Sequence, residues 1–281
     1  MMFSAGGRGN IRSCRPLRFR GSTDTRMHQT VRTSLQAALI SATLLVSAGI
    51  PAETLTNAPC DLEVQRAGQT ISRIYREWPL RPSSDSVSLA LQAITDELAR
   101  RSTATSRRWR THVVRDKNLN AFSIGDGHIF ITEGMLRFVD SETELVALIA
   151  HEFGHHLAGH FCNIKRKRGF WGGGEQEGER HSIGTLQALV DPALERAADE
   201  TAIQLLARAG YDPHATLTLA ARMAAVHTEA HFQNRSRIQA LKTMLPRYRF
   251  ASTSPQDSAA FVQLKDSLAA SGEVVPASPY P

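Results

Sequence analysis

The twenty residues Ser141 to His160, SETELVALIAHEFGHHLAGH, constrain this chain more than any other stretch of it. Ser141 and Glu144 stand in the S-x-x-E order of a capping box, which satisfies orphan backbone donors at a helix start. Apolar residues follow at Leu145, Leu148, Ile149, Phe153, Leu157 and Phe161, so the spacing predicts a helix beginning near Glu142. On a helix, residues four apart lie about 40° apart in azimuth and residues five apart about 140°. His151 and His155 therefore share a face, and His156 does not join them. His151-Glu152-x-x-His155 is the spacing at which two imidazoles bind one zinc ion and the glutamate between them takes a proton from a zinc-activated water. A shuffled chain of this composition holds such a motif about 0.02 times, which sets the competing reading of a chance match on a polar helix face.

A catalytic zinc takes three protein ligands and keeps a fourth position open. A second helix, predicted over 192–209, starts from Asp191 as N-cap with Pro192 in its first turn and stops at Gly210, with Pro213 beyond. It carries Glu195-Arg196-Ala197-Ala198-Asp199, in which Glu195 and Asp199 share a face. Glu195 can complete the metal site while Asp199 accepts the outer N–H of a ligating histidine. The bland reading is a solvated acidic face, against which the neighbouring alanines argue for close packing.

Around these helices the pattern predicts an α+β fold, mainly helical. Amphipathic helices are expected over 62–78, 87–101, 213–227 and 234–244. WRTHVV, NAFSI and HIFIT, placed about the turn Gly125-Asp126-Gly127, read as a small antiparallel sheet. Residues 163–184, polar and glycine-rich, read as a surface loop, and Lys165 to Arg168 as a solvated face. His112, His128, His181, His214 and His227 have no partner pattern and read as surface or core residues. The Ser-, Ala- and Pro-rich end reads as a C-terminal tail over 251–281, holding a turn or two around Phe261 to Leu268 before a disordered tip.

The formal charge of +6 is local. Of 33 lysines and arginines seven lie in residues 1–52, against one of 27 acidic residues, leaving 26 of each over 53–281. A nucleic-acid partner loses its main support. Residues 1–52 read instead as an N-terminal extension and export signal: Arg32, then the apolar run Leu35 to Val46, then small residues with cleavage points after Ala48 or Ala52. The run is shorter than the about 20 residues of a comfortable membrane span, which makes an uncleaved inner-membrane anchor the second reading. Met27 opens a segment of normal signal-peptide proportions and is the expected start. Cys60 and Cys162 follow the leader, and an oxidising compartment permits a bridge between them, although spacing leaves two separate thiols equally open.

Three stretches in order resemble metallopeptidase family 48, the gluzincins of the HtpX and CAAX prenyl protease type. They are NAFSIGDGHIFITEGML from Asn120, the zinc helix quoted above, and ERAADETAIQLLARAGYDP from Glu195, within a resemblance covering about 85–245. The resemblance implies a zincin-like core, here over 53–250, with one Zn2+ held by His151, His155 and Glu195. It also implies Glu152 as general base, Asp199 behind a ligand and His160 as a non-ligand at the end of the zinc helix. The segment with His231 six residues before Arg237-Ile238 is similar to one whose histidine stabilises the oxyanion or plugs the fourth zinc position; here Phe232 replaces the usual proline. Asn120, Ala121 and Phe122 are expected to bind substrate as an exposed strand that pairs with an extended chain through backbone hydrogen bonds.

Membrane members of the family carry hydrophobic spans that 163–184 lacks, so the chain looks like a soluble, exported member. The resulting expectation is a periplasmic zinc metalloendopeptidase of protein quality control, hydrolysing misfolded or unassembled envelope proteins. Its partners would be unfolded or misassembled substrates and no nucleic acid, with peripheral membrane association and oligomeric state open. The alternative, from another functional class, is a binding or chaperone-like envelope protein whose zinc site is latent, closed by His231 and the glycine-rich loop.

Overall fold

A computed structural model of the chain describes residues 58–163, 191–226, 235–248, 250 and 255–272. The leader, the glycine-rich segment with Lys165 to Arg168 and His181, and His227 and His231 fall outside the described residues. In chain order the elements are α1 (Asp61–Glu77), α2 (Ser86–Ser102), β1 (Arg110–Val114), β2 (Ala121–Gly125), β3 (His128–Thr132), α3 (Glu133–Phe138), α4 (Glu142–Leu157), α5 (His160–Asn163), α6 (Pro192–Ala209), α7 (His214–Ala225), α8 (Arg235–Met244) and α9 (Ala259–Ala270). This is the mainly helical α+β architecture that the patterning predicts, consistent with the zincin-like core that the resemblance implies, and the helix ends obey the same chemistry. The Ser141 hydroxyl accepts from Glu144 N at 3.3 Å, the Asp191 carboxylate accepts from Ala193 N at 2.8 Å, and Gly210 closes α6 at a φ of 81°.

The sheet corrects the antiparallel expectation. Its strand order is β1-β3-β2; β2 and β3 form the antiparallel hairpin around Gly125-Asp126-Gly127, whereas β1 runs parallel to β3. The chain after β1 crosses over to the far edge before the hairpin returns β3 to the middle, so first and last strands share a direction. Every residue of β3 is buried, as a central strand between two packed faces requires. The outer edge of β1 is closed: the Gln92 amide accepts from Thr111 N at 2.9 Å and donates to Trp109 O at 3.1 Å, while Arg81 N donates to Val113 O. That leaves β2, beside α4, as the opposite edge of the sheet.

The main core gathers α2, α4, α6 and one face of the sheet around Leu91, Leu98, Ile131, Leu148, Phe153 and Leu206. A smaller core on the other face joins Ile74 of α1 to Val114, Phe122, Ile124 and Phe130. The Trp109 ring stacks on Phe153 with centroids 3.5 Å apart, fixing the middle of α4 against the start of β1. Within the expected tail, α9 is a three-turn helix whose Phe261, Leu264 and Leu268 belong to the main core. Cys60, at the N-cap of α1, is disulfide-bonded to Cys162 of α5, across 102 residues of chain.

Candidate metal centre

Helices α4 and α6 pack against each other at a glycine. A Cβ on Gly154 would lie 2.4 Å from the carbonyl oxygen of Ala198, so only glycine admits this approach. The approach brings three side chains together. Nε2 of His151 and Nε2 of His155 are 3.1 Å apart, and the Glu195 carboxylate stands 3.3 Å from the first and 3.2 Å from the second. Four ligands on bonds of about 2.0–2.1 Å around a tetrahedral ion sit about 3.3 Å from one another, which is the spacing found here.

The chemistry of the set fits a cation as well as its geometry does. Neither oxygen of the buried Glu195 carboxylate receives a hydrogen bond from the described residues, a costly arrangement unless a cation faces it. Two imidazoles and one carboxylate suit late first-row metals rather than magnesium or calcium. Burial raises the Glu195 carboxyl, but His155 and His151 outweigh it and hold the group well below the usual carboxylate range. Burial and Arg237 lower His151, yet Asp199 and Glu195 overcome them and raise it to about 9. The pull that puts a proton between His151 and its carboxylates pulls equally on a metal ion, which displaces that proton.

Behind the ligands the two histidines are held differently. His151 Nδ1 lies 2.9 Å from Asp199 Oδ1, and Asp199 receives Arg237 Nε at 2.8 Å on its other oxygen. Burial raises Asp199, but Arg237 and His151 outweigh it and keep it ionised down to about 2. His155 Nδ1 lies 3.0 Å from His160 Nδ1, which places His160 behind a ligand and outside the ligand set. His156, one residue on, points away as azimuth demands. It meets Glu63 Oε1 at 3.2 Å and Arg107 in a buried cluster that also takes in Asp126 N. Glu152 is buried beside the ligands, and Ser123 Oγ donates to its Oε2 at 2.8 Å.

The structure thus brings His151, Glu152, His155, Glu195 and Asp199 together. Asn120, Ala121 and Phe122 lie on and just before the edge strand, with their side chains buried: Ala121 in the main core and Phe122 in the smaller one. The expectation for these residues concerns backbone pairing, and what β2 offers for it is its place at the sheet edge. Sequence reasoning missed three neighbours of the site and one member of the cluster behind it. Arg237 was marked only by its spacing from His231, and Ser123 was next in the NAFS run. Gly154 was visible as a glycine inside a helix, a position that costs about 1 kcal/mol relative to alanine and so calls for a packing reason. Glu63, one acid among several on α1, carried no signal. His112 and His128, read as unpartnered, face each other with Nε2 and Nδ1 2.9 Å apart.

Comparison with known proteins agrees with this geometry. Residues 86–167, from α2 through α5 and including both histidine ligands, match Peptidase family M48. The mitochondrial metalloendopeptidase OMA1 of Schizosaccharomyces pombe is 26% identical over 208 residues, covering 66% of this chain and 62% of that protein. The OMA1 of Arabidopsis thaliana is 30% identical over 120 residues, 40% of this chain and 25% of that protein. The beta-barrel assembly-enhancing protease of Escherichia coli is 26% identical over 160 residues, 50% of this chain and 32% of that protein. The chain covers less than two thirds of the length of each of these relatives. The family match thus spans residues 86–167, which hold both imidazoles and Glu152, while the carboxylate of Glu195 comes from the next long helix, beyond the matched stretch.

Proposed function

We propose that the chain is a zinc-dependent metalloendopeptidase that hydrolyses misfolded or unassembled envelope proteins. The observation that carries this reading is the convergence of His151, His155 and Glu195 at tetrahedral spacing with Glu152 buried next to them. Bound there, zinc supplies a Lewis acid that polarises the scissile carbonyl and acidifies water. Glu152 takes the proton of the attacking water and passes it to the leaving amine. Asp199, backed by Arg237, and His160 fix the two ligating rings. The edge strand β2 receives an extended substrate, a mode that selects unfolded chain rather than sequence. His231 is assigned to the oxyanion by motif spacing alone.

The envelope assignment draws on two supports: relatives named beta-barrel assembly-enhancing protease, and a leader with the composition of an export signal. No helix among the described residues is long and apolar enough to cross a membrane. Export to the periplasm is the proposed location, with anchoring by an uncleaved leader as its alternative. Glu152→Gln tests the chemistry: it is expected to keep zinc and to release no peptides from unfolded casein that the wild type cleaves. A fully active variant refutes the mechanism, and a zinc-loaded wild type that releases nothing refutes the peptidase reading in favour of a latent binding protein.

A further inference from the structure

Strand β2 is apolar on both faces except at one position. Ala121 belongs to the core shared with α4, while Phe122 and Ile124 face the smaller core with α1. Ser123 shares the Ala121 face and is the only residue of β2 not fully buried. Directly after it the register with β3 shifts, from Ser123 opposite Ile129 to Gly125 opposite His128. Irregularities of this kind re-aim a side chain locally while the rest of the strand stays in register. The hydroxyl so placed donates to Glu152 Oε2 at 2.8 Å, an ordinary O–H···O length.

We infer that Ser123 is a positioning residue for peptide-bond hydrolysis: its hydroxyl holds the Glu152 carboxylate in one orientation, so that the edge strand beside the metal centre also sets the general base. A glutamate carries three side-chain torsions, and its terminal one is broad and two-fold, so packing alone leaves the carboxylate plane loosely defined. One hydrogen bond from a strand anchored in two cores removes that freedom. The oxygen it engages is Oε2. A serine that only satisfied a buried carboxylate would act on stability; a serine that aims it acts on turnover. General-base catalysis depends on sub-ångström placement, and misplacement by about 1 Å costs on the order of 100-fold in rate. Loss of one hydrogen bond, with the helix still in place, displaces the carboxylate by less than that and is expected to lower kcat about 10-fold.

This inference rests on the peptidase reading, and the experiment separates the two. The zinc-loaded full chain is compared with Ser123→Ala and Ser123→Thr on fluorescently labelled casein, with zinc stoichiometry, melting temperature and the Glu152 conformation in crystals of each. Ser123→Ala is expected to lower kcat about 10-fold with KM within about 2-fold, unchanged zinc content and melting temperature, and Glu152 in more than one orientation. Ser123→Thr, which keeps the hydroxyl, restores kcat and the single orientation. An alanine variant with unchanged kcat, a loss that tracks zinc content or melting temperature, or Glu152 ordered as in the wild type overturns the assignment. A wild type that binds zinc and cleaves no casein sinks the peptidase reading instead, and the Glu152 conformation in the alanine variant still decides the role of Ser123.

Discussion

Gly154→Ala should damage both the fold and the metal centre, although alanine is the better helix former. The substitution gains up to about 1 kcal/mol in helix propensity. Against that, the new methyl would sit 2.4 Å from the Ala198 carbonyl oxygen and 2.8 Å from its Cα, both backbone atoms that no rotamer change can move. Restoring an ordinary contact of about 3.4 Å requires α4 and α6 to part by about 1 Å. Overpacking of this size costs about 1–3 kcal/mol, so the net loss is up to about 2 kcal/mol, several degrees of melting temperature for a domain of this size. Glu195 lies one turn before Ala198 on the moving helix, and metal sites tolerate about 0.2 Å of error in a bond length. Zinc affinity should therefore fall by at least about 10-fold, a loss of the size seen when groups supporting a ligand are removed. Thermal melting of the apo chain and chelator competition on the loaded chain measure the two effects. Gly68→Ala on α1, where a Cβ meets nothing within 4 Å, is the control and should stabilise by up to about 1 kcal/mol. A Gly154→Ala protein that melts no lower than wild type and binds zinc as tightly would show that the helices can separate without carrying Glu195 away.

Three further outcomes follow from the same geometry. Burial lowers His112 to about 3, with His128 and Arg110 adding to it, and His128 to about 4, with Arg110 adding to it; burial also lowers His156 to about 4. The unfolded chain then binds protons before the native one does, so stability is fully present above about pH 6.5 and lost as pH falls towards 4; a melting temperature flat from pH 7 to 4.5 contradicts this. Reducing Cys60–Cys162, or Cys162→Ser, opens a cross-link spanning 102 residues and should cost about 2–5 kcal/mol, read as a lower melting temperature with reductant than without. His160→Phe should weaken zinc binding by about 10–100-fold, while His160→Gln, which still offers an acceptor, should retain most of it in the same competition assay.

The legible parts of this fold were those written locally. Ser141, Asp191 and Gly210 announce helix ends because capping satisfies backbone groups within four residues of the capping side chain. The two histidine ligands follow from helical azimuth, and the pairing of Glu195 with Asp199 from the same rule applied to another helix. Strand pairing is not local. Gly125-Asp126-Gly127 fixes β2 against β3, but the parallel seat of β1 is set from outside the sheet, by Gln92 of α2 and the Leu80–Val114 bridge that occupy its outer edge. The cluster behind α4 was invisible for the same reason. Glu63 meets Arg107 44 residues away and His156 93 residues away, and no periodicity along the chain encodes such a meeting.

The ligands' outer partners also set the placement of protons. With Nε2 of His155 turned to the metal, its Nδ1 bears the hydrogen and must donate. The group it meets is His160 Nδ1, which burial, with His155 beside it, lowers to about 3 and so keeps neutral at pH 7. A neutral imidazole accepts at Nδ1 only if its own hydrogen sits on Nε2, which fixes the tautomer of His160. His151 is under a different constraint: its Nδ1 faces an ionised carboxylate that Arg237 keeps ionised. One ligand thus leans on an anion and the other on a neutral ring. Among the described residues, Glu195, Asp199 and Glu152 set against Arg237 leave two more negative charges than positive ones around the ligands, the balance that a divalent cation neutralises.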